Sequence, residues 1–154
     1  MIQRKQSIFL LISSILLLTS LSVAFVDFVS SHGAIRINAF SIHDNGTGML
    51  EESMPIHTLG ITLIIIAVMN ALCIFLFKNR QLQIRLTRYS LILKFAILAV
   101  IGYYSYLLMG LSIEGAITPK LGIIMIVITM LLDWFTIVAI KKDEDLIRSI
   151  DRIR

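Results

Sequence analysis

Lys94 and Asp133 are the two charged residues that fall well inside the long apolar stretches of this 154-residue chain. An ammonium or carboxylate in lipid is costly, so such groups mark proton or ion pathways, subunit contacts or paired locks. In a helix rising ~1.5 Å per residue, Lys94 lies ~9 Å beyond Arg88 and Asp133 ~12 Å before Lys141. Asn70 lies ~12 Å before Lys78, and Ser13 and Ser14 lie at similar depth from Lys5. Four apolar stretches thus each add a polar group to one layer near the inner third of a membrane. Three readings stay open. Lys94 and Asp133 pair, with Asn70 capping them; Lys94 snorkels to the phosphates; or the layer responds to protons or ions or contacts another subunit.

The elements that must carry this layer are apolar runs at about 7–26, 56–77, 89–111 and 121–140. Each is close to the ~20 residues that cross a bilayer as helix. The chain is 57% apolar with mean hydropathy +0.89, which excludes an ordinary soluble domain. The expected fold is an all-α, antiparallel four-helix transmembrane bundle forming a single integral membrane domain, 1–154. In the fourth run Gly122, Ile126, Thr129, Asp133 and Thr136 recur at spacings of four and three, so they share a face that should point inward. Ala67 and Ala71 flank Asn70 and allow close helix approach.

The charge of +4 has a topological meaning. Arg4 and Lys5 precede the first run. Lys78, Arg80, Arg85 and Arg88 lie between the second and third. Lys141, Lys142, Arg148, Arg152 and Arg154 follow the fourth. The other two connections hold Arg36 and Lys120. Positive residues near span ends stay cytoplasmic, so both termini are expected inside. Arg80, Arg85, Arg88, Lys141, Lys142, Arg148 and Arg152 are expected to contact anionic lipid or a cytoplasmic partner. This one-sided distribution argues against nucleic acid. The start also resembles a signal peptide, with Ser22-Val23-Ala24 as a small-x-small site. Its apolar run exceeds the usual ~7–15 residues, so it reads as a retained span.

Between the runs, the segment 27–55 is the one sizeable piece outside. Ile35, Ile37 and Ala39 alternate with polar residues as in a strand, and Asp44-Asn45-Gly46 is a turn signal. A small hairpin is expected, with Pro55 opening the second helix. Asn45-Gly46-Thr47 matches a glycosylation pattern, but the turn explains it. His32, His43 and His57 lie among Asp27, Asp44, Glu51 and Glu52. Lacking i,i+4 histidines or a helping cysteine, they read as solvated rather than metal-binding. The segment 78–88 fits a helical extension or an alternating stretch at the headgroups. Residues 112–120 read as a plain turn. In the tail, Leu146, Ile147, Ile150 and Ile153 follow helical spacing, predicting a separate amphipathic helix along the inner leaflet or against a partner.

The segments Met1-Ile2-Gln3-Arg4-Lys5-Gln6-Ser7, Asn79-Arg80-Gln81-Leu82-Gln83-Ile84-Arg85-Leu86 and Ile140 to Arg154 resemble the matching parts of a small four-span family of Bacteroidota that carries a domain-of-unknown-function label. The resemblance runs the whole length, and the tail is its most specific part. It implies a bacterial inner-membrane protein and no particular activity. Members often have Asn-Arg before the Ala-Ile-Lys-Lys stretch, where this chain has Ile137-Val138.

Three functions are weighed. A non-catalytic accessory or scaffold subunit of a membrane complex fits the small size and the tail. Its partners are the bilayer and other membrane subunits or further copies of the chain. The alternative is a small transporter or ion-coupled protein using the Lys94/Asp133 layer. Against it, the chain has no internal repeat or broken helix. An enzyme is not expected: nucleophile-elbow, zinc and phosphate-loop motifs are all missing, and no cofactor is implied. The lone Cys73 excludes thiol–disulfide exchange within the chain.

Overall fold

A computed structural model describes residues 3–30, 33–46, 53–76, 79–111 and 115–151, with the side chains of 3–5, 53–55, 111 and 146–151 outside that description. Four helices and five strands are found among them: α1 Gln3–Ser20, β1 Val26–Ser30, β2 Gly33–Ile37, β3 Ser41–Asn45, β4 Ser53–Pro55, α2 His57–Phe75, α3 Arg80–Leu111, β5 Gly115–Pro119 and α4 Leu121–Asp151. α1 packs on α2 and α4, and α3 packs on the same two, so the helices form a four-membered ring with α1 and α3 diagonal.

Three helices, α2, α3 and α4, are long and apolar enough to cross a membrane; the apolar part of α1 is shorter. Their outward faces carry Ile61, Ile65, Leu72, Ile92, Phe95, Leu131, Trp134 and Phe135, all exposed. The interior meanwhile holds Asn70, Lys94 and Asp133. An apolar exterior around a partly polar interior suits a hydrocarbon solvent, where hydrophobic contrast no longer drives helix association. Water would leave those exposed patches far larger than soluble monomers carry.

The expected hairpin is instead a five-stranded antiparallel sheet in the order β4-β3-β2-β1-β5. Within the stretch expected as a plain turn, residues 115–119 form its edge strand β5, which pairs with β1 from Val26↔Pro119 to Ser30↔Gly115. Register places Val26, Phe28, Ile35, Ile37, Ile42 and Ile117 on one face, because side chains alternate along each strand. That face joins the core of the bundle, with Leu59, Leu63 and Ile126. Asp27, Arg36 and His43 lie on the other face. The sheet thus seals the end of the bundle where α1 leaves and α4 begins. Two strands would have been marginal alone; five with a buried face are not.

Several boundaries differ from expectation. The first apolar run does not stay helical to residue 26. Tight bonds from Leu21 N to Leu18 O, Ser22 N to Thr19 O and Val23 N to Ser20 O end α1, and Phe25 N then donates to Ile37 O in the sheet. Pro55 does not open α2; it ends the edge strand β4, where a missing N–H is tolerated. Of the two readings of 78–88, the helical extension holds from Arg80 onward. The tail is no separate helix. α4 runs unbroken through Lys141 to Asp151, since nothing between Ile140 and Asp151 breaks helix.

Candidate functional site: a buried polar layer

Asp133 stands at the centre of the bundle, fully buried, with both carboxylate oxygens occupied. Oδ2 accepts from Lys94 Nζ at 2.7 Å and from Ser90 Oγ at 2.8 Å. Oδ1 accepts from Ser13 Oγ at 3.0 Å and Asn70 Nδ2 at 3.3 Å. Lys94 also donates to Ser13 Oγ at 3.2 Å and to the Thr129 carbonyl at 3.3 Å. Asn70 Nδ2 reaches Ser13 Oγ at 3.0 Å. Every helix contributes: α1 gives Ser13, α2 Asn70, α3 Ser90 and Lys94, α4 Thr129 and Asp133. The ammonium's three protons have three acceptors, and the carboxylate has four donors. This is the condition under which a buried ion pair is tolerable.

Local spacing aims these groups inward. On α3, Gln83, Thr87, Ser90 and Lys94 recur at four, three and four, and all are buried. Beyond Lys94 the same face turns apolar with Ile97 and Ile101. On α4 the face predicted to point inward does so: Gly122, Ile126, Thr129, Asp133 and Thr136 are all buried. Ala67 lets α1 approach closely enough for Ser14 Oγ to bond its carbonyl at 3.3 Å. Ser14 therefore lies outside the ion-pair cluster, unlike Ser13. Lys94 does not snorkel; its ammonium ends on Asp133.

Sequence reasoning missed Ser90 and a polar seam below the pair. Gln83 Nε2 donates to the Cys73 carbonyl at 3.1 Å, Thr87 Oγ1 to the Gln83 carbonyl at 2.9 Å, and Gln6 to the buried Asp143. The available signal was the run of polar residues at helical spacing in a segment read as headgroup contact. Within the layer, Asn70 Oδ1 is buried with no hydrogen-bond partner.

Of the basic residues, Arg88 and Lys141 line one cleft between α3 and α4. Arg85, Arg88, Lys141 and Lys142 are exposed, and Arg80 is half-buried. The side chain of Arg148 and all of Arg152 lie outside the described residues. At the opposite end, Arg36 grips Asp27 through Nε at 2.9 Å and Nη2 at 3.1 Å, with Lys120 Nζ at 3.4 Å. Arg36 foremost holds the Asp27 carboxyl below its ordinary value of 3.8, against the opposing pull of burial. His43 meets Ser41 Oγ at 2.8 Å. His32, Glu51 and Glu52 lie outside the described residues, and no cluster of metal-ligating side chains occurs among those described.

No curated protein and no solved structure matches the chain. A family model does, over residues 2–153, and the chain therefore belongs to the family described as Domain of unknown function (DUF4293).

Proposed function

We propose that the protein is a non-catalytic accessory or scaffold subunit of a bacterial inner-membrane complex. It crosses the membrane four times with both termini cytoplasmic. The basic ends of α3 and α4 and the connection near Arg80 support that orientation under the positive-inside rule. α1, at ~27 Å for 18 residues, serves as the fourth span. The observation that carries the reading is the saturation of the central ion pair: Lys94 and Asp133 are spent on one another and on Ser13, Ser90 and Thr129. Such a pair fixes how four helices associate.

Purification of the tagged chain from native membranes in mild detergent, followed by native mass spectrometry, tests this. A second protein at fixed stoichiometry is expected. A lone chain or homo-oligomer would count against it and favour an ion-coupled transporter. One observation keeps that second reading in play: the unpartnered Asn70 Oδ1 is a spare acceptor beside the pair.

A further inference from the structure

An apolar cleft of about 320 Å³ runs between α3 and α4 on the bilayer-facing side, at their basic ends. Its volume falls at the lower end of the ~300–1,000 Å³ of small-ligand clefts. Arg88, Leu91 and Ile92 line it from α3 at positions i, i+3 and i+4. Trp134, Ile137, Val138 and Lys141 line it from α4 at i, i+3, i+4 and i+7. Each helix thus presents one stripe to the cleft. Leu91 and Ile137 pack together at its base. The apolar slot extends ~10 Å into the membrane, the seven-residue rise from Lys141 to Trp134.

The two cations stand at the mouth, on different helices and exposed. Neither forms an ion pair among the described residues. The nearest acids along the α4 stripe, Glu144 and Asp145, lie about a turn beyond Lys141, away from the slot. Two cations above an apolar slot open to lipid complement a molecule with an anionic head and a hydrocarbon tail. A purely acidic protein segment would leave the slot unfilled.

We propose that this cleft binds one anionic phospholipid. Its phosphate lies between Arg88 and Lys141, and one acyl chain lies against Ile92 and Trp134. The site rests on the membrane reading above and assigns these cations a ligand rather than a purely topological role.

Trp134 is the chain's only tryptophan, so its fluorescence reports the cleft directly. The full-length protein is reconstituted into phosphatidylcholine vesicles holding a small fraction of chain-brominated phosphatidylglycerol or, separately, of equally brominated phosphatidylcholine. The expected result is saturable quenching at a lower mole fraction for the anionic lipid. Arg88→Gln and Lys141→Gln should each weaken that preference roughly fivefold, the effect of ~1 kcal/mol per basic residue at the surface. Equal quenching by the two lipids in the unaltered protein overturns the site and leaves the cations to an acidic protein segment. Quenching by neither lipid overturns the site together with the membrane reading. The comparison of headgroups needs no variant, so a misfolded substitution does not obscure it.

Discussion

Asp133 gathers donors from all four helices, and its loss should be felt throughout the bundle. Asp133→Asn keeps the shape and removes the charge, leaving the Lys94 ammonium buried without its counter-ion. The expected cost is about 3–5 kcal/mol, the usual effect of breaking a buried pair from one side. The joint change Lys94→Met with Asp133→Leu should cost less than Asp133→Asn alone, because no stranded charge remains. Cys73, the sole cysteine and buried, gives the readout: a fluorogenic maleimide reports its exposure as the detergent-solubilised protein unfolds. Equal stability of Asp133→Asn and the parent would remove the ion pair from the account of how the helices associate. Asn70, Lys94 and Asp133 were legible as one layer because depth follows from counting residues. Ser90 was not, since a serine in a helix is ordinary until a partner is seen.

The junction between sheet and helix is close-packed. Gly122 opens α4 where its N donates to the Ala24 carbonyl at 3.1 Å, while Lys120 N donates to the Phe25 carbonyl at 2.9 Å. A β-carbon on Gly122 would stand 2.5 Å from the Phe25 ring and 2.8 Å from the Ala24 carbonyl oxygen. That oxygen belongs to backbone and cannot rotate away. Gly122→Ala should therefore destabilise by about 1–3 kcal/mol, as overpacking does. Gly102, in the middle of α3 with open space around it, is the control. Gly102→Ala should gain roughly 0.5–1 kcal/mol from helix propensity alone. Thermal unfolding of both variants by the same thiol assay separates the two; similar shifts would mean that the junction is not close-packed. The spacing of Gly122 placed it on the inward face but did not reveal the phenylalanine against it.

Bundle and sheet share one apolar core yet answer to different chemistry. The outward face of the sheet is held by Asp27, which pairs with Arg36 across the β1–β2 ladder and with Lys120 at the start of α4. Because the folded carboxyl titrates below its ordinary 3.8, its contribution is complete above that value. It is lost as pH falls through the lower folded value. Acid titration followed by NMR of the β1 and β2 amides should show the sheet loosening below about pH 3.8. Asp27→Asn should show a looser sheet already at neutral pH and no such acid step. An unchanged acid step in that variant would assign the transition to another group.

Hydropathy and charge position are local properties, read by the solvent one segment at a time, so the sequence alone determined the long apolar helices and the basic end of each. It also determined the inward stripe of α4, because helical period follows from spacing. The tertiary structure decided everything that needs a distant partner. Residues 115–119 carry no strong strand signal, and only pairing with β1, some ninety positions earlier in the chain, makes them an edge strand. The end of α1 was likewise decided from afar, since its apolar run continues while Phe25 is claimed by Ile37. Whether Lys94 reaches water or Asp133 was the same kind of question. A lysine stem can extend toward either, and the choice fell to the acceptors that α1 and α4 bring to its tip.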